Sequence, residues 1–222
     1  RMFNAALAAT PAGAEMLKGP LTADAINSEE FANAFRTVAT LDQQNGSANS
    51  SVNANDFAAD FNNGLSAVFI NGVWGASQFA GSDNFVSCIY PNSVAISSAN
   101  TGLYVANDLS DAQKELALEF IKYMTSEEVQ SRYFLETSSN PINENVDIQK
   151  LAQESGDPTA LKLAEACDKC NKADTIVLAI DVCWGNDVGG ALQNKFAECA
   201  VAGTDIEAKL AELQAELTAL IG

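Results

Sequence analysis

Asn63-Gly64-Leu65-Ser66-Ala67-Val68-Phe69-Ile70-Asn71-Gly72-Val73-Trp74 is the stretch on which the fold turns. Just upstream, Phe57 and Phe61 sit four residues apart on a short helix that stops at Gly64. The apolar run Leu65 to Ile70 predicts a buried strand. Asn71-Gly72 then turns the chain and leaves Trp74 just past the strand's C-terminal end. Outward in both directions the same alternation of capped helices and short apolar runs continues, so the fold class is α/β, helix-rich with short strands.

Toward the N-terminus, Asn27-x-x-Glu30 is a capping signal followed by Phe31, Phe35, Val38 and Leu41 at helical spacing, predicting a helix from about Ser28 to the region of Gln43. The polar stretch Asn45 to Asn55 reads as an exposed loop. Toward the C-terminus, Phe85 to Tyr90, Val94 to Ser97 and Gly102 to Ala106 are strand candidates separated by Pro91-Asn92 and by Asn100-Thr101-Gly102. Ser110-x-x-Gln113 opens a helix with Leu116, Phe120, Ile121 and Met124 on one face, and Thr125-x-x-Glu128 caps the next. Asp157-Pro158 places a cap before a first-turn proline, and the strand Thr175 to Ile180 precedes Trp184, which leads into a helix through Val188, Leu192, Phe196 and Cys199. Thr204-x-x-Glu207 caps a last helix bearing Ile206, Leu210, Leu213, Leu217 and Leu220, whose repeat covers little more than two heptads; a terminal helix docked on a core fits it better than a coiled coil.

The 29 acidic and 12 basic residues leave a net charge of −17, which repels a polyphosphate and excludes nucleic acid as a partner. Residues 1–110 carry 3 bases and 9 acids and residues 111–222 carry 9 and 20, so the excess is no acidic tail. The longest apolar run, Ile176 to Ile180, is far below the roughly 18 to 20 residues of a membrane span. The opening Arg1-Met2-Phe3-Asn4 is neither an initiator Met nor a secretory signal, and a processed protein or a fragment is expected. Cys167 and Cys170 form one CxxC on a helical pattern without a second, and the chain has no histidine; the five cysteines read as ordinary residues, with no metal and no cofactor expected.

In their order, Asn63 to Trp74 and then Ala117-Leu118-Glu119-Phe120-Ile121-Lys122-Tyr123-Met124-Thr125-Ser126-Glu127-Glu128-Val129-Gln130 resemble the C-terminal portion of an extracellular solute-binding protein of family 1, the sugar-binding, maltose-binding-protein-like type. Asn140-Pro141, the Trp184 helix and the closing helix from Thr204 to Ile221 continue the resemblance. It implies a two-lobe periplasmic-binding-protein-like (type II) fold, present here as a C-terminal fragment. The implied segments are 1–84 in the second lobe, with the strand 65–70; 85–140 returning to the first lobe, with helices 111–136; and 141–222 with the remaining second-lobe helices, the Trp184 helix and the closing helix. The implied function is reversible carbohydrate or oligosaccharide binding for an ABC importer, without catalysis. The implied partners are the permease membrane subunits, and the implied location is extracellular, as a cell-surface lipoprotein or in the periplasm. A fragment is expected to bind weakly, and the helices Ser110 to Met124 and Thr204 to Ile221 to expose apolar stripes that drive self-association or need the absent segment.

A sugar presents hydroxyls around flat C–H faces, so its sites combine aromatic platforms with planar amides. Trp74 and Trp184 are the candidate platforms, and the resemblance implies aromatic stacking at both places. Asn71 and Asn186 are the candidate amide contacts, each also readable as an ordinary turn or helix-start residue. Asp181 and Asp187 flank Trp184 and keep a carboxylate-pair glycoside hydrolase open as an alternative. A non-catalytic helical interaction module built on the C-terminal helix is the third reading.

Overall fold

The computed structural model describes residues 1–45, 54–79, 85–98, 102–137 and 139–222, the side chains of residues 54–56, 77 and 79 excepted. The loop expected over Asn45 to Asn55 and the Asn100-Thr101 turn lie largely outside them. The chain divides into two compact units: Arg1–Val52, Ile89–Thr101 and Ala173–Gly222 form one, and Asn53–Cys88 with Gly102–Lys172 form the other. These limits differ from the expected breaks after residues 84 and 140. Which segments condense together depends on packing between residues far apart in the chain, which no local pattern reports.

The first unit opens with three short helices that periodicity does not single out: α1 (Met2–Ala8), α2 (Pro11–Met16) and α3 (Ala23–Ile26). α4 (Glu29–Asn45) matches the expected helix and buries Phe31, Phe35, Val38 and Ala39. Its cap is Ser28 rather than Asn27: the Phe31 N–H donates to Ser28 Oγ at 3.2 Å, while the Asn27 side chain donates back to the Ala23 carbonyl. β1 (Val94–Ser97) and β2 (Thr175–Leu178) pair in parallel, Val94 opposite Thr175. Parallel strands cannot be joined by a tight turn, and this pair is closed by chain that passes through the other unit. At the N-terminal edge, Asn92 and Ser93 adopt left-handed backbone, and Ser93 Oγ accepts the Asp174 N–H at 3.0 Å, tying the two strand starts together.

Beyond β2 the chain enters α10 (Ile180–Cys183), α11 (Asn186–Cys199) and α12 (Ile206–Ile221). The strand expected to reach Ile180 stops at Leu178, because the Val182 and Cys183 amides close a helical turn on the Ala179 carbonyl. α12 is capped by Asp205, whose carboxylate accepts from the Glu207 and Ala208 amides, and not by Thr204. Leu210, Leu213 and Leu217 are buried in the same core as Phe3, Phe31, Phe35 and Val188, so the helix is docked, and of the stripe expected to be exposed on it Leu220 alone remains so. Burial of each such side chain stabilises the fold by about 1.5–3 kcal/mol. At the rim, Arg36 bridges α4 to Glu207, and Lys195 and Lys209 join α11 to α12 through Glu198 and Glu212.

The second unit holds α5 (Ala54–Asn62), a 3₁₀ turn (Val73–Phe79), α6 (Asp111–Met124), α7 (Glu127–Thr137), α8 (Ile148–Ser155) and α9 (Pro158–Asn171). Ser110 and Gln113 form the expected capping box, and Asp157 caps α9 ahead of Pro158. α7 is capped by Ser126, whose Oγ accepts the Val129 amide, while Thr125 donates its hydroxyl to the Ile121 carbonyl instead. A small core gathers Ala76, Phe134, Ala152, Ala160, Leu163, Ala164 and Cys167. The strand expected over Leu65 to Ile70 is overturned: Leu65, Val68 and Ile70 are exposed in coil, and β1 with β2 is the one ladder among the described residues. A strand needs a neighbour to pair with, and the apolar pattern records the preference without supplying the partner. Phe85 to Ile89 and Gly102 to Ala106 likewise form no strand.

Candidate functional site

Trp184 lies in the first unit, six residues past the end of β2, on the side of the parallel pair where open α/β sheets take ligands. Its position is built by its neighbours. Asn4 of α1 is buried and clamps the strand exit: Asn4 Nδ2 donates to the Leu178 carbonyl at 3.0 Å, and the Ile180 N–H donates to Asn4 Oδ1 at 3.4 Å. The Trp184 amide then closes α10 on the Ile180 carbonyl at 2.8 Å. Gly185 follows at φ +93°, a backbone that strains any residue with a Cβ, and this bend separates α10 from α11. The indole is half-buried, stacked on Phe31 with centroids 6.4 Å apart, and its Nε1 is buried with no acceptor among the described residues.

The candidate partners around Trp184 have distinct environments. Asn186 is exposed at the first position of α11. Asp181 is held by the Arg1 guanidinium, with Nη2 3.3 Å from Oδ2, and this hydrogen-bonded ion pair holds its carboxyl below the usual carboxylate range. A lowered carboxyl does not suit a glycosidase's general acid, although the ionised partner of a carboxylate pair is held in the same direction.

Trp74 and Asn71 lie in the second unit. The 3₁₀ turn is anchored through Ala76 and Val73 against the core around Phe134 and Leu163, which leaves Trp74 outside and 56% exposed. The indole is folded back over Gly72: a Cβ there would lie 2.2 Å from the ring, so only glycine admits this rotamer. Gly75 closes the turn on the Gly72 carbonyl at 2.9 Å, and Asn71 Oδ1 accepts the Gly72 amide at 2.9 Å. Asn71 therefore commits one amide atom to shaping its own loop.

Sequence reading found the two tryptophans but not the residues that set them: Asn4, Phe31 and Gly72. Glycine immediately before an aromatic turn was the available signal for the last; nothing local announces Asn4, whose partners lie 174 and 176 positions away. The second unit also carries Phe61 beside Phe69 and Phe85, at 6.1 and 6.0 Å. Along α9, Lys162 donates to the Phe85 carbonyl, the Ser87 N–H donates to Glu165, and Lys169 bonds both Glu165 and the Ser87 carbonyl. Hydrogen bonding to Lys169 holds the Glu165 carboxyl below its usual range. No group of acidic or thiol side chains suited to a metal ion occurs among the described residues, and Cys167 and Cys170 are free thiols on α9. Burial pushes the Cys167 thiol up to about 12.

Three comparisons bear on this arrangement. A family model described as bacterial extracellular solute-binding protein matches residues 2–159. A solved structure of a Streptococcus pneumoniae solute-binding protein in complex with the blood group A-trisaccharide superposes with a TM-score of 0.92 at 38% sequence identity, over 99% of this chain. The chain spans 56% of the length of that protein. No curated protein sequence matches it.

Proposed function

The chain belongs to the bacterial extracellular solute-binding proteins, and from that premise we propose that it forms part of a receptor that binds a carbohydrate or oligosaccharide reversibly and delivers it to the membrane subunits of an ABC importer. The observation that carries the carbohydrate is the pneumococcal structure, which holds a trisaccharide on a fold that matches nearly all of this chain. Trp74 and Trp184 are the proposed aromatic contacts, with Asn71 and Asn186 as amide contacts. The exposed indole of Trp74 suits it to stacking on the C–H face of a sugar ring. Trp184, half-buried with Phe31 against its ring, suits an apolar contact through the part of the indole that stays exposed.

The receptor does no chemistry in this reading, which product analysis separates from a carboxylate-pair hydrolase. The interaction-module reading loses its surface, because the apolar stripe of α12 is spent on the chain's own core. The proposed location is outside the cytoplasmic membrane, as a lipid-anchored or periplasmic protein. Calorimetric titration with the blood group A-trisaccharide and a panel of unrelated oligosaccharides, followed by product analysis, tests the proposal. Saturable binding of at least one sugar without turnover is expected, weak because the chain spans only part of its relative's length. Cleavage would make it a hydrolase, and absence of all binding would remove the carbohydrate assignment.

A further inference from the structure

The turn beneath Trp74 carries chemistry of its own. The chain has three Asn-Gly pairs, 45–46, 63–64 and 71–72, and at each the backbone can attack a side chain, because a glycine nitrogen has no Cβ beside it to hinder its approach. Gly46 lies outside the described residues, so the comparison falls on the other two. Asn63-Gly64 closes α5: the Asn63, Gly64 and Leu65 amides donate to the Ala59, Phe61 and Asp60 carbonyls at 2.9, 3.0 and 2.9 Å, and Gly64 is fixed at φ +73°. The Gly64 nitrogen is spent on a main-chain bond that must break before it can react. Asn71-Gly72 is set differently. It lies in coil ahead of the 3₁₀ turn, with Asn71 exposed and the side chains of Ile70 and Trp74 exposed on either side of it. The Gly72 N–H donates to Oδ1 of Asn71 itself at 2.9 Å rather than to a distant carbonyl, so the nitrogen stands within about 4 Å of Cγ, the carbon it would attack.

We propose that Asn71-Gly72 is a self-modification site, at which the folded protein converts asparagine to aspartate and isoaspartate. Loss of the Gly72 N–H proton to water or hydroxide frees the nitrogen to form a bond to Cγ. The Cγ–Nδ2 bond breaks, and the side-chain amide leaves as ammonia with the proton. The five-membered succinimide then takes up one solvent water: opening at Cγ gives aspartate, and opening at the main-chain carbonyl gives isoaspartate, with the chain now running through the former side chain. No oxidant, reductant or second protein enters. Both products place a carboxylate three residues from Trp74. Isoaspartate also adds one methylene to the main chain just ahead of Gly72, over which the indole is packed so closely that a Cβ would lie 2.2 Å from the ring. The modification therefore displaces Trp74 and alters a loop that holds two of the proposed sugar contacts. It rests on the geometry of this turn and is independent of the carbohydrate reading.

The 222-residue chain is held at pH 8 in heavy-oxygen water, either folded or in urea, then digested and mapped by mass spectrometry. Each conversion then carries label from the incubation, and the denatured sample gives the intrinsic rate of each pair. The ratio of label at residue 71 to label at residue 63 should rise at least about fivefold on folding, since the Gly64 amide must first open locally. Asn71→Gln, whose cyclisation needs a six-membered ring, should remove the label at that position and leave the label at residue 63 unchanged. In a Trp184→Phe background, Trp74 emission should shift as label accumulates. A folded ratio no higher than the ratio in urea, or label persisting at position 71 in Asn71→Gln, would overturn the proposal. Steady emission through full conversion would overturn the displacement of Trp74.

Discussion

Replacing Asn4 with Ala removes the one side chain that satisfies both sides of the β2 exit. The variant leaves the Ile180 N–H, in a buried bond, and the Leu178 carbonyl, in a part-buried one, without their partner. An orphaned buried polar group costs about 1–3 kcal/mol, and the carbonyl lies toward the low end because water reaches it. A total of about 2–3 kcal/mol follows, equivalent to a melting shift of about 4–12 °C for a chain of this size. The units need not melt together, so the assay must isolate the first. One tryptophan lies in each unit, and in a Trp74→Phe background the Trp184 emission reports the first unit alone. The companion variant Asn4→Asp adds a sign. A buried carboxylate facing the Leu178 carbonyl is disfavoured, so its folded-state pKa lies above the unfolded value of about 4. Its penalty is therefore small below pH 4, where the protonated group can donate to that carbonyl, and grows as pH rises through the raised value. A Trp184 transition within 1 °C of the parent for Asn4→Ala at pH 7 would refute the clamp.

Three further outcomes are expected. Trp74→Ala should cost about 1–3 kcal/mol of sugar binding with little loss of stability, since the indole is exposed, and Gly72→Ala should shift Trp74 emission without ligand by displacing the ring; unchanged titrations and spectra would remove Trp74 from the site. Thiol labelling at pH 8 should modify exposed Cys88 first and buried Cys167 and Cys199 last, with no stoichiometric zinc in the purified protein and no unfolding on mild reduction; early labelling of Cys167 would contradict its burial. The Glu165 carboxyl is held low by Lys169, so it adds stability above its unfolded pKa that is lost as pH falls through the depressed folded value. Glu165→Gln should flatten the acid side of the stability profile of the second unit, and an identical profile would show that the clamp on Ser87 contributes nothing.

Local chemistry in the sequence was enough to locate α4 to α7, α9, α11 and α12 and many of their starts, but not α1 to α3, α8 or α10. Ser110 with Gln113 and Asp157 with Pro158 read correctly because a cap bonds within three residues of itself. Where two adjacent residues could each cap, as with Asn27 and Ser28, Thr125 and Ser126, or Thr204 and Asp205, the choice was a matter of a single hydrogen bond and fell to the second of each pair. Val94 to Ser97 was legible as a strand because it finds its parallel partner within the chain. Leu65 to Ile70 carried the same apolar signal, yet no ladder forms there among the described residues, since pairing is a property of two segments and the pattern lies in one. Both tryptophans were visible as types of residue suited to a sugar. Their settings were decided only in three dimensions: Trp184 rests on Phe31 and on a strand exit clamped by Asn4, and Trp74 folds over Gly72 on a turn held by Ala76. The Asn4 bonds reach across 174 and 176 positions and the Trp74 turn packs on Phe134 and Leu163 well along the chain, and contacts of that kind leave no trace in local spacing.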